Sequence, residues 1–184
     1  MKKLATLFFI LFSVAIFAQQ QTQTAAAAQL RIGYVDSEVI LQQFPEAIKA
    51  KSDLEGMVAK WRKDLDSMQT DLQKRYAEFQ KKSQDKAAKK EDVEKDQKAL
   101  VEKDQKAQQY QQSKFSQPNG EYFVRQDQLM KPVKAKIYAA IDEISKEENM
   151  QFVFDKAGEV VLLKADPQFD ITFKVLDLLK RGKK

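Results

Sequence analysis

Between Glu46 and about Gln112 the apolar residues are sparse, and most of them fall on two combs. Leu54, Trp61 and Met68 step by seven, with Arg75 continuing the row. Val58, Leu65, Leu72 and Phe79 make the second comb. Together the combs alternate steps of four and three. That is the a/d spacing of a coiled-coil seam, not the broader face of a helix packed into a globule. A helix of this kind cannot bury itself in a domain core. It needs a partner helix, and it must project into solvent.

The seam fades from Lys81 to Lys106, where nine Lys stand against seven acids. So even a balance reads as a solvated helical face with at most weak attraction for acidic or anionic partners. Ser83-Gln84-Asp85 is the best place for the chain to reverse, with a return leg starting near Lys89 and lying antiparallel to the outgoing one. An outgoing leg from Glu46 to Ser83 would be roughly 57 Å long at the α-helical rise. Pro118-Asn119-Gly120 predicts a break in the return leg, because Pro and Gly both oppose helix interior. Helix resumes from Glu121 to Asn149 on a wider stripe that includes Phe123, Val133, Ile137 and Ile144, with a kink expected at Pro132.

The two ends of the chain have a different character. Leu30 to Val35 alternates like a strand, and Asp36 or Ser37 can cap the helix that follows. Pro45 suits the first position of the long helix. Phe152-Val153-Phe154 predicts a buried strand and Val160 to Leu163 a second, joined as a hairpin by a turn in which Gly158 is free to take positive φ. Asp170 can cap a last helix, Ile171 to Lys180.

The expected fold class is therefore α+β. A small β-containing oligomerisation body (30–45 and 132–184) carries a long antiparallel α-helical, coiled-coil hairpin arm (46–131) as an insertion. The candidate body residues are Ile32, Val35, Phe152, Phe154, Val161 and Leu163. A body this small is near the lower limit for a core that stands alone, and the chain has no Cys to staple it. Oligomerisation is the remaining way to complete it.

The N-terminus reads as a secretory signal peptide, residues 1–18: Lys2 and Lys3, an apolar run from Leu4 to Ala18, then abruptly polar Gln19 to Gln23. Cleavage is expected after Ala18 or within Ala25 to Ala28, and residues 19–29 form a disordered Gln/Ala/Thr leader. Losing the two lysines lowers the net charge from +5 to +3. A basic excess this small argues against a nucleic-acid module. With no His and no Cys, the commonest general base and metal ligands are missing, and no Gly-rich nucleotide loop is present. The densest acidic cluster, Asp92, Glu94 and Asp96, lies in a solvated run whose spacing points the carboxylates to different helix faces. No catalytic, cofactor or metal site is expected.

Three segments carry a family resemblance: IGYVDSEVILQQFPE (Ile32–Glu46), KPVKAKIYAAIDEISKEENMQFVFDKAGEVVLL (Lys131–Leu163) and FDITFKVLDLLK (Phe169–Lys180). With the charged helical middle, they resemble the Skp/OmpH family of periplasmic chaperones for outer-membrane proteins. The PNG interruption departs from a straight return arm. The resemblance implies a periplasmic homotrimer, joined through its strands, whose helical arms enclose a cavity for unfolded outer-membrane β-barrel proteins. It implies work without ATP or catalytic residues. Some members also touch lipopolysaccharide or an anionic membrane surface, but no residue pattern here carries that site. The client-binding candidates are the large side chains of the thin seam, Trp61, Met68, Tyr76, Phe79 and Tyr110, which suit weak, adaptable contacts. The plainer reading is that they zip the two legs together. The rival function is a periplasmic coiled-coil adaptor or scaffold without chaperone activity.

Overall fold

The computed structural model describes residues 30–159 and 162–182. The signal peptide and leader expected over 1–29 lie outside these residues, as do Val160 and Val161. In chain order the elements are β1 (Ile32–Val35), α1 (Ser37–Gln43), α2 (Pro45–Gln84), α3 (Lys90–Phe115), α4 (Glu121–Glu147), β2 (Phe152–Asp155), a 3-10 turn (Pro167–Phe169) and α5 (Thr172–Arg181). Among the described residues the fold is mostly helical, with one small two-stranded parallel sheet.

Local chemistry explains most boundaries. Asp36 caps α1 by accepting from the Val39 backbone N–H at 3.0 Å. Phe44 stays extended and buried, so the chain turns a corner there, and Pro45 opens α2. α2 then runs unbroken for 40 residues. Asp85 stands at its C-terminal end, and α3 begins at Lys90. The return path breaks between Phe115 and Glu121, across the Pro118-Asn119-Gly120 segment. α4 continues through Pro132 without interruption. It ends at Glu147, and just beyond it Asn149, with φ of 55°, takes the left-handed conformation that Asn tolerates better than most residues. At the start of α5 the Asp170 carboxylate accepts from the Thr172 N–H at 2.9 Å.

The core lies where the two ends of the chain meet. Ile40 and Phe44 of the α1 corner pack with Ala47 and Ala50 of α2. Val133, Ile137, Ala140 and Ile144 of α4 and Ile171, Val175 and Leu176 of α5 close the cluster. Ala47 and Ala50 are small, which suits close approach of α4. β1 and β2 lie over this cluster in register, Ile32 opposite Phe152, Gly33 opposite Val153, Tyr34 opposite Phe154 and Val35 opposite Asp155. The inward face brings Gly33 so close to Met150 that a Cβ there would sit 2.2 Å from the Met150 sulfur. A larger residue at 33 would require the Met150 side chain to move.

Polar bonds tie the two chain ends together. Ser37 Oγ donates to Asp155 at 2.6 Å, and the Ser37 N–H donates to the same carboxylate at 3.1 Å. The Asp36 N–H donates to Thr172 Oγ1 at 2.9 Å. Thr172 is itself buried, so this bond satisfies a hydroxyl that would otherwise be costly to bury.

The last third corrects three expectations. β2 pairs with β1; of the second strand expected over Val160 to Leu163, the first two residues lie outside the described residues, while Leu162 and Leu163 belong to no strand and Leu163 is 94% exposed. The reason lies at Asp155: its carboxylate accepts from the Ala157 N–H at 3.0 Å and its carbonyl from the Gly158 N–H at 3.2 Å, which ends the strand. Gly158 is not among the positive-φ glycines, because that turn closes without a left-handed residue. Finally, Phe154 is not buried within the single chain. It sits on the outer face of the sheet, 37% exposed, because the inward positions are taken by Val153 and the alternation of a strand sends its neighbours outward.

Candidate functional site

Two surfaces stand out. The first is the outer face of the sheet. Ile32, Phe152 and Phe154 are exposed there and Tyr34 is half-buried. Leu30 and Phe169 extend the face into a groove of about 750 Å³. β1 is bonded on both sides, to β2 and, through Tyr34, to Asp170 and Ile171. Among the described residues β2 has no strand on its far side. An apolar face beside an unpaired strand edge is a surface that favours being covered.

The second surface runs along α2 and α3. Three cross-contacts bind them: Asp64 accepts from Tyr110 Oη at 2.9 Å, Asp71 from Lys103 Nζ at 2.5 Å, and Asp96 from Lys82 Nζ at 2.7 Å. As the numbering rises on α2 it falls on α3, and the α3 members, Asp96, Lys103 and Tyr110, step by seven. Their α2 partners, Asp64, Asp71 and Lys82, step by seven and then by eleven. The bond from Lys103, helped by Arg75, holds the Asp71 carboxyl below its ordinary value. The bond from Asp96 raises the Lys82 ammonium. Partial burial, then Asp64, pushes the Tyr110 hydroxyl up. Beyond Trp61 no described residue of α2 is buried, and on α3 only Ala107 is.

At the break in the return path the contacts thicken. Trp61 is 6% exposed, and its ring meets Phe115 edge-on with centroids 6.1 Å apart. Lys114 Nζ lies 5.3 Å from the Trp61 ring centre and 5.4 Å from that of Tyr110. Lys114 also pairs with Glu121, across the break, and Glu121 is 3.5 Å from Arg125. The Lys114 bond lowers the Glu121 carboxyl below its ordinary value. Next to this cluster, between α2 and α4, runs an apolar groove of about 950 Å³ lined by Ile48, Leu54, Val58, Leu129 and Met130.

The structure separates the residues that the sequence grouped. Trp61 and Tyr110 come together around Lys114, while Met68 and Tyr76 stand exposed farther along α2 and Phe79 is half-buried. Val35 is core, Ile32, Phe152 and Phe154 lie on the outer sheet face, Leu163 is solvated, and Val161 lies outside the described residues. Sequence reasoning missed Lys114, Glu121 and the α2/α4 groove. The seven-residue spacing of Lys114 and Glu121 carries no signal, because they sit on different helices and only the geometry of the break joins them. Among the described residues no cluster of side chains suits a metal ion, and no helix is long and apolar enough to cross a membrane.

Residues 31–179 match the sequence model of the family described as "Outer membrane protein (OmpH-like)". Among solved structures, one similar chain is a crystal structure from Caulobacter crescentus described as a candidate outer membrane chaperone (OmpH-like). It superposes with a TM-score of 0.70 at 15% identity, over 88% of this chain and 90% of that one. No curated protein sequence matches.

Proposed function

The chain belongs to the OmpH-like family, and from that premise we propose that it is an ATP-independent holdase of the periplasm that binds unfolded outer-membrane β-barrel proteins and keeps them from aggregating. The observation that carries this reading is the α2/α3 pair. We read it as an antiparallel coiled-coil arm. A limb with so little burial beyond Trp61 adds nothing to a core, yet it holds Met68 and Tyr76 in solvent. Such side chains make weak contacts with varied partners, and several arms acting together add those contacts through effective concentration. A holdase of this kind needs no chemistry. It stabilises the unfolded client by mass action, and folding in the membrane draws the client away.

The outer sheet face supplies the second part of the proposal. Ile32, Phe152 and Phe154 lie beside an edge of β2 that no described strand covers, and they are suited to be covered by further copies of the chain, giving a homotrimer whose arms surround a shared cavity. The body is then completed between copies.

The test is a light-scattering assay of two unrelated unfolded outer-membrane proteins diluted from denaturant, with and without the chain. Suppression of aggregation of both supports the holdase. Saturable binding of one folded partner, with no suppression, supports the adaptor instead.

A further inference from the structure

We propose that Trp61, Lys114 and Glu121 form a locked joint that sets the direction of the arm relative to the body. The proposal rests on reading α2 and α3 as an arm. It adds where the arm is held and what releases it.

The two legs differ at the level of this cluster. α2 passes through it without interruption, whereas the return path stops at Phe115 and restarts at Glu121. The interruption is a built corner. The Gly120 N–H donates to the Ser116 carbonyl at 2.6 Å, and the Gly120 carbonyl accepts from the Phe123 N–H at 3.0 Å. A Cβ on Gly120 would lie 2.6 Å from the Ser116 carbonyl oxygen, so the corner admits no larger residue without shifting. Between Phe115 and Glu121 the i to i−4 ladder is interrupted, and the Gly120 to Ser116 bond is what carries it across, so bending this leg there costs less helical hydrogen bonding than bending the unbroken α2.

What resists bending is the cluster. Each of the three helices that meet there contributes: α2 gives Trp61, α3 gives Tyr110, Lys114 and Phe115, and α4 gives Glu121. Lys114 is the hub. Its stem is largely covered, and its ammonium sits near two ring faces and one carboxylate from three different helices. Any swing of α3 about the corner moves Lys114 away from at least one of them. On the body side α2 is fastened by Ala47, Ala50 and Leu54. On the far side it has only the thin seam and its polar pairs. The joint therefore lies at the boundary between a cemented root and a lightly tied limb. Releasing it changes how far apart the arm tips stand and hence how large a client fits between them.

The experiment reads arm direction without a client. Ser83→Cys near the reversal and Lys134→Cys on α4 give two spin-label positions, and the chain has no other cysteine. Labelled protein is diluted into unlabelled protein, and double electron–electron resonance gives the distance distribution within one chain. Lys114→Met, which keeps the stem and removes the charge, and Glu121→Gln should each broaden it or add a second population. Amide exchange at Gly120, Phe123 and Val124 should quicken by roughly tenfold, the scale of one partly desolvated cation–π pair. Lys82→Met, which breaks an inter-leg pair near the tip, should leave both readings unchanged. Narrow, unshifted distributions for Lys114→Met and Glu121→Gln, or broadening by Lys82→Met alone, overturn the joint. Circular dichroism on each variant checks that its helices are intact, and Trp61→Phe repeats the test if Lys114→Met loses helix. Failure of the aggregation assay with these distance results intact removes the holdase reading and leaves the joint standing.

Discussion

Ile32 lies directly opposite Phe152 across the parallel sheet, and both side chains face away from the core. Phe152 is 56% exposed on a body that buries Ile40 and Val175 completely. A large ring left outside beside an open strand edge is the surface of something unfinished. The chain spends its apolar residues in two places, one inward and one outward, and these should respond differently to mutation.

Phe152→Asp and Phe154→Asp should dissociate the proposed homotrimer and leave the single chain folded. Mass by light scattering should fall to that of one copy while far-UV circular dichroism is unchanged. Loss of helical signal in either variant would place these rings in the core of the chain, against the structure.

Ile40→Ala should act on the inside. Ile40 has no exposed surface, so its truncation should cost about 2–5 kcal/mol, whereas Val101→Ala, on an exposed part of α3, should stay within about 0.5 kcal/mol. Urea unfolding curves would separate the two.

Gly33→Ala should destabilise the sheet by about 1–3 kcal/mol through overpacking against Met150. The double change Gly33→Ala with Met150→Ala should recover part of that loss, since the obstructing atoms are in the Met150 side chain. A double mutant whose loss equals the sum of both single changes would show that the contact is not the cause.

Acid should loosen the α2/α3 limb. Lys103 and Arg75 hold Asp71 below the ordinary aspartate value of 3.8, and Lys114 holds Glu121 below the ordinary glutamate value of 4.5. For carboxyls lowered on folding, the stabilisation is present above the ordinary value and is lost as pH falls through the lower folded one. Amide exchange along α2 and α3 should therefore quicken between roughly pH 5 and about pH 2, and Asp71→Asn should remove part of that dependence. Because these groups are only partly buried, added salt should weaken the effect.

Deleting the limb, with Lys60 joined to Tyr110 by a short turn, should leave an assembly that no longer suppresses client aggregation. The Asp64 to Tyr110 bond brings the two legs within reach at this level. An assembly that falls apart on this deletion would mean that the limb, not the sheet face, holds the copies together.

The seven-residue combs on α2, the capping acid Asp36, Pro45 at a helix start and the Pro118–Gly120 break were legible in the chain, because each acts over one or two turns of backbone. Asp170 is the cap that the sequence offers for α5, but that place falls to Ile171. The sequence also placed strands near both ends. It could not say that Phe152–Asp155 would pair in parallel with Ile32–Val35, about 120 residues earlier, because strand partnering depends on which segments the helices bring together. Nor could it tell that Trp61 would be enclosed while Met68, one heptad later on the same comb, stays in water. Both positions have the same period. What differs is the company: Phe115 and Lys114, beside the break in the return path, close on the Trp61 ring, and only the tertiary arrangement decides where such a cluster forms.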